Sequence, residues 1–174
     1  MVTHCRTSPR RVGLIHASLD KVVLLSELLT PDRVVMPVVA RDKKSVIAEL
    51  TRHLTAKSGG DFGTVLRAVE EREEGGSTGF GFGVAIPHAR SSAVEELTLV
   101  CGVSPEPVPY DSIDGDPVRL FFLIVGPEAS AGQHVKLLSR IARLVRRENV
   151  RQQLCEAGSP EEFYTALLDA EAQS

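Results

Sequence analysis

Two apolar runs constrain the fold of this chain more than any other feature. Residues 97–103 read LTLVCGV and residues 118–125 read VRLFFLIV. Neither alternates apolar with polar, as a strand with one wet face does; near-continuous runs of this length fit strands covered on both faces. No apolar run reaches the roughly 20 residues that a membrane helix needs. Covering a sheet on both faces takes amphipathic helices, and the sequence supplies them. Asp42 can cap a helix to about residue 57, with Val46, Ile47, Leu50 and Leu54 on one face. Ser58-Gly59-Gly60 breaks it, and Asp61 can cap the next helix, with Phe62, Val65, Leu66 and Val69 inward. That helix ends on Glu70-Glu71-Arg72-Glu73-Glu74. Ser130 and Gln133 form a capping box for a helix to about residue 147, with Val135, Leu138, Ile141, Ala142 and Val145 as its apolar face. Ser159-Pro160-Glu161-Glu162 opens a last helix, with Phe163, Leu167 and Leu168 inward.

The remaining segments fit between these. Residues 18–29 carry leucine and valine at helical spacing, and Thr30-Pro31 ends the run. Residues 33–39 read as a strand that Pro37 confines to a sheet edge. Residues 83–86 read as a short strand stopped by Pro87. The stretch 105–117 holds Pro105, Pro107, Pro109 and Pro117 and reads as a loop, with a short edge strand near 108–110. Helices alternate with buried strands, so the expected class is α/β, one sheet with helices on both faces. Residues 1–17 are polar and basic and read as a flexible tail; residues 18–174 form one domain, long enough for a real core.

Charge and cysteine usage exclude some functions. A net charge of −3 leaves no overall footprint for nucleic acid. Cys5, Cys101 and Cys155 are far apart, so neither a disulfide framework nor a zinc site is indicated. His4, Cys5 and His16 match no metal-ligand spacing either. The basic N-terminus lacks the apolar core of a secretory signal, which makes a reducing, cytoplasmic setting the expectation.

Chemistry concentrates in Gly79-Phe80-Gly81-Phe82-Gly83-Val84-Ala85-Ile86-Pro87-His88. Alternating glycines let backbone N–H groups approach a ligand closely, and a histidine follows the strand at once. Histidine suits phosphoryl relay because its pKa of about 6.5 leaves a neutral, nucleophilic nitrogen near neutrality. The longer string from Arg72 through Ser77-Thr78-Gly79 to Ile86-Pro87-His88 resembles the active-site signature of the mannitol/fructose-type enzyme IIA domains of the bacterial phosphotransferase system, a family that includes the nitrogen-regulatory IIA proteins. Gln133-His134-Val135-Lys136-Leu137-Leu138-Ser139 resembles that family's second active-site histidine at a helix start. The likeness runs over residues 24–168 or so. Phe80, where an aliphatic residue is more usual, and Ala89-Arg90 depart from the pattern.

The resemblance implies a single mixed sheet flanked by helices. It also implies a phosphocarrier that accepts a phosphoryl group on His88 from an HPr-like donor and passes it to a cysteine of a IIB domain. Arg72 would clamp the phosphoryl group, and His134 would hydrogen-bond it or orient His88. On residue chemistry alone, Arg72 could instead pair with Glu70, Glu71 or Glu74. Ser77, Thr78 and Gly79 could bind phosphate or shape the turn. Neither metal nor organic cofactor is implied, and any membrane association would be peripheral, through a permease. The alternative output is regulatory: phosphorylation of His88 would control binding to a regulatory or transport protein. A module that never carries phosphate, and a hydrolase using His88 covalently, are weaker readings. Lys136, Arg140, Arg143 and Arg147 fall on one helical stripe, either a solvated face or a dock for an acidic partner.

Overall fold

The computed structural model describes residues 23–174. The expected tail and the start of the first expected helix lie outside the described residues. The elements, in chain order, are α1 (Leu25–Leu28), β1 (Val34–Val35), α2 (Lys43–Ser58), α3 (Phe62–Glu74), β2 (Gly79–Gly81), β3 (Val84–Ala85), β4 (His88–Arg90), β5 (Thr98–Val108), β6 (Val118–Gly126), α4 (Ala131–Val145), α5 (Glu148–Glu156) and α6 (Pro160–Ala172). None of the described helices is long and apolar enough to cross a membrane.

The two apolar runs are the central antiparallel pair, β5 and β6. β1 lies parallel at the edge beside β5, β3 and β4 run parallel along the other side of β6, and β2 pairs antiparallel with β3. The sheet is therefore mixed. Side chains alternate across it and divide the interior in two. Leu120, Phe122 and Ile124 enter one core with Leu137, Ile141, Leu154 and Phe163 from α4, α5 and α6. Phe121, Leu123 and Val125 enter the other with Leu50, Leu54, Val65 and Val69 from α2 and α3. Gly102 in β5 lets α2 approach: a Cβ there would lie 2.8 Å from both Leu50 Cδ2 and Val38 Cγ2.

Three of the four caps form as the sequence indicates. The Asp42 carboxylate accepts from Ser45 N at 3.0 Å, Asp61 from Thr64 N at 2.8 Å, and Ser159 Oγ from Glu162 N at 3.2 Å. Ser130 does not cap. Its backbone is not extended (φ −92°, ψ 12°), and its hydroxyl donates back to Pro127 O at 2.7 Å, so α4 is entered through a 3-10 turn, Glu128–Ser130. The apolar face of α4 is also rotated from the expected one. His134, Leu137, Ile141, Leu144 and Val145 are buried, whereas Val135 is 63% exposed. The helix stops at Val145, two residues early, because Arg151 Nη1 satisfies the terminal carbonyls of Val145 (2.7 Å) and Arg146 (2.9 Å). α5, which follows, has only Val150 and Leu154 buried, too sparse a pattern to read in advance.

Around the glycines the structure departs furthest from expectation. The lead-in Gly79-Phe80-Gly81 is itself a strand, and Phe82-Gly83 is the two-residue turn that joins it to β3. Both turn residues have positive φ (58° and 73°), as primed hairpin turns require. For a non-glycine residue this backbone costs about 1–2 kcal/mol. The strand that follows does not stop at Pro87 either. β3 and β4 hold one common register on β6, Val84 opposite Leu120 and His88 opposite Ile124. Proline forfeits one N–H, but its carbonyl still accepts from Ile124 N at 3.0 Å, so the strand is interrupted rather than ended. The other expected loop is shortened: β5 runs through Pro105 and Pro107 to Val108, with a register shift between Val103 and Val108 that accommodates the prolines.

Candidate active site

Three separate elements bring Arg72, His88 and His134 together. Arg72 lies in the last turn of α3, His88 opens β4, and His134 lies in the first turn of α4. The half-buried His88 ring is held at both nitrogens. Nδ1 lies 2.8 Å from Ile86 O. A carbonyl can only accept, so Nδ1 carries the proton and Nε2 carries the lone pair. Arg72 Nε donates to that Nε2 at 3.2 Å, while Arg72 Nη1 donates to Gly76 O at 3.0 Å. The guanidinium is thus fixed at the nucleophilic nitrogen rather than spent on its glutamate neighbours. Burial lowers the pKa of His88, and the charge of Arg72 adds to this against the opposing Ile86 hydrogen bond. The ring is therefore neutral at pH 7.

The His134 ring stands edge-on to His88, with centroids 5.6 Å apart and planes at 63°. Burial, then the nearby charges of His88 and Arg90, push its pKa down to about 4. Its Nδ1 is buried without a protein partner among the described residues. Among those residues, no three His, Cys, Asp or Glu side chains converge as metal ligands would.

Behind these groups lies a polar anchor that the sequence pattern did not mark. Glu73, 9% exposed, accepts from Thr78 N at 3.0 Å and from the Thr78 hydroxyl, and pairs with Lys43 Nζ at 2.7 Å. Burial alone would raise the carboxyl pKa, but Lys43 and Thr78 outweigh it and hold the carboxyl below its ordinary value. Lys43 also reaches Ser77 Oγ at 3.3 Å and sits 5.1 Å from the Tyr110 ring centroid. Within a run of five acidic and basic residues, one buried carboxylate looks like its solvated neighbours; the available signal was its spacing from Thr78.

The polar groups of Ser77, Thr78 and Gly79 are largely engaged within the loop. Ser77 Oγ donates to Tyr110 O at 3.1 Å and accepts from Gly79 N at 3.2 Å. A Cβ on Gly79 would lie 2.6 Å from Ser112 Cα, so this glycine admits the 109–117 loop. Two residues of the basic stripe are engaged at the C-terminal end of the chain. Arg140 pairs with the buried Glu171 at 3.3 Å, and Arg147 bonds Ala170 O on α6 and Gln173 just beyond it, each at 3.2 Å.

Two open grooves meet at His88. One, of about 970 Å³, is bordered by Phe80, Phe82, Ile113, Leu138 and Ala142. The other holds Arg72, Arg90, Glu128, His134 and Val135. Arg90 and Glu128 form an exposed ion pair at its rim, 3.0 Å apart.

A mixed sheet with helices on both faces, and a histidine and an arginine set at its edge, match a known class of protein. The family described as phosphoenolpyruvate-dependent sugar phosphotransferase system, EIIA 2, matches residues 27–170. The chain belongs to that family. It is 35% identical to a nitrogen regulatory protein of Pseudomonas aeruginosa, over 86% of this chain and 98% of the relative. It is 37% identical to the fructose-specific EIIABC component of Bacillus subtilis, over 83% of this chain but only 22% of that longer protein. Among solved structures, the nitrogen regulatory protein IIA-Ntr of Neisseria meningitidis is 34% identical, covering 83% of this chain and 99% of its own, with a TM-score of 0.79.

Proposed function

We propose that the chain is a cytoplasmic phosphocarrier, with residues 18–174 as its single functional unit, and that His88 Nε2 is the atom that carries the phosphoryl group. One observation carries this reading: Nδ1 is locked as a donor to Ile86 O, which leaves the Nε2 lone pair beside a fixed guanidinium. The donor is a phosphohistidine protein of the HPr type. The Nε2 lone pair attacks phosphorus in line, the donor's P–N bond breaks, and the electron pair returns to the donor ring. Arg72 then turns its N–H groups to the phosphoryl oxygens, and the edge-on His134 supplies a second polar group. Ser77, Thr78 and Gly79 act as scaffold. Positioning and charge stabilisation carry such a transfer, and neither metal nor organic cofactor is required of this chain. The acceptor is a cysteine on a IIB domain; the Bacillus relative, named as an EIIABC component, joins such parts in one chain.

Intact-mass measurement after incubation with phosphoenolpyruvate, enzyme I and an HPr-type protein tests the assignment. A single acid-labile, alkali-stable phosphoryl adduct is expected on the wild type and none on His88→Ala. Full labelling of the variant would remove His88 from the role. A regulatory output is favoured by a specific observation, the alignment with 98% of a protein named for nitrogen regulation. In that case a partner protein binds one phosphorylation state in preference to the other, and pull-down with phosphorylated and unphosphorylated chain decides it.

A further inference from the structure

Phe82 occupies a position that local stability would assign to another residue. It is the first residue of a two-residue hairpin turn with positive φ at both positions, where asparagine and glycine are the favoured choices. Its ring is not buried in compensation, since the residue remains 57% exposed. It is nevertheless held in place. The Phe82 N–H donates to the Asp114 carboxylate at 2.7 Å. Arg151 lies 4.9 Å from the ring centroid, and Arg151 is itself fixed on the carbonyls that end α4. A strained backbone and an exposed aromatic on a hydrogen-bonded support are features of a contact residue rather than a core residue.

The surroundings say what it contacts. Four large apolar side chains are exposed among the described residues: Val39, Phe82, Ile113 and Val135. Three of them border the two grooves that meet at His88. The groove on the Phe82 side carries one acidic and one basic residue, Asp111 and Arg146, and is otherwise largely apolar. His88 borders this groove, so a protein seated on it comes up against the His88 ring.

We infer that Phe82 is a preorganised docking anchor for the protein that donates the phosphoryl group, received against an apolar patch beside that donor's phosphorylated residue. This rests on the phosphocarrier reading and adds to it the residue that sets donor affinity. Because the ring is held before contact, docking immobilises little that is free. The anchor acts on binding and leaves the transfer step to His88 and Arg72.

Rapid-quench transfer from the phosphorylated HPr-type donor, across a range of donor concentrations, tests this with Phe82→Asn and Phe82→Gly. Both replacements suit the turn, so thermal melting is expected at or above the wild-type midpoint. Transfer is expected to show KM raised about tenfold or more, with the saturated rate within twofold of wild type. Unchanged KM in both variants, with normal labelling of the wild type, overturns the anchor and leaves the carrier intact. A wild-type chain that takes no phosphoryl group at any donor concentration removes the carrier reading and the anchor with it. A wild-type dimer that Phe82→Asn dissociates in sedimentation, with donor KM unmoved, makes Phe82 a contact between copies and also overturns the proposal.

Discussion

Two hydrogen bonds on one imidazole decide what this site can do. Ile86 O sets the tautomer, and Arg72 sits at the Nε2 atom where the proposed transfer would form its bond to phosphorus. Arg72 is tied to Gly76 O, so the loop that follows α3 holds its charge in place. We expect Arg72→Ala to slow phosphoryl acceptance more than tenfold, about 1.4 kcal/mol or more of transition-state stabilisation, with an unchanged fold by circular dichroism. Lysine should restore only part of the rate, because an ammonium cannot present two N–H groups in a fixed fork. Burial is the larger cause of the low His88 pKa, but Arg72 adds to it, so the alanine variant should titrate His88 at higher pH by NMR. A wild-type rate in Arg72→Ala would return this residue to a structural role.

Element packing is what brings these residues together, and it has one narrow point. α2 rests on β5 at Gly102, where two buried methyl groups would lie 2.8 Å from any Cβ. Leu50 could swing only within a packed core, and Val38 is stiff at χ1. Gly102→Ala should therefore destabilise by about 1–3 kcal/mol. The check is a urea melt with a lower midpoint and an unchanged slope; a midpoint equal to wild type would mean that α2 yields freely. The elements themselves were largely legible in the sequence. The two-sided apolar runs gave β5 and β6, and Asp42, Asp61 and Ser159 marked helix starts by their own side-chain chemistry. What escaped was set by contacts distant in sequence. β2 is a strand only because β3 lies beside it, and β4 continues past Pro87 only because β6 supplies the ladder. The rotation of α4 leaves Val135 and Leu138 toward the grooves, and no helical periodicity distinguishes a core stripe from a neighbouring groove stripe. Arg72, His88 and His134 could be named from motif; the pairing of Glu73 with Lys43 could not, because it depends on how α2 meets α3.

At the scale of the whole molecule, the convergence of α3, β4 and α4 sets a buried histidine, His134, beside a half-buried one, His88, and this ties stability to pH. His134 is pushed down to about 4 from an ordinary 6.5, with burial the first cause. His88 is lowered as well, again chiefly by burial. Both groups bind protons less readily folded than unfolded. Their contribution is thus complete above pH 6.5 and is lost as pH falls through the folded values. For His134 the window runs from about 6.5 to about 4, worth roughly 3 kcal/mol across its full width. Glu73 has the same sign lower down, since its folded pKa lies below the ordinary 4.5 and protonation weakens its bond to Lys43. The Ile86 hydrogen bond and the charge of Glu73 oppose the His88 shift without reversing it, and protonating His134 places a cation beside Arg90 and beside His88, which Arg72 already faces. Urea midpoints measured at pH 7.5, 6, 5 and 4 should fall steadily below pH 6.5. His134→Gln removes the largest titrating term and should flatten the slope between pH 6.5 and 5, even if it lowers stability at every pH. Equal midpoints for the wild type at pH 7.5 and 5 would mean that the two rings are open to water in solution. The closed packing on which the proposed transfer relies for a neutral His88 would then have to be abandoned with it.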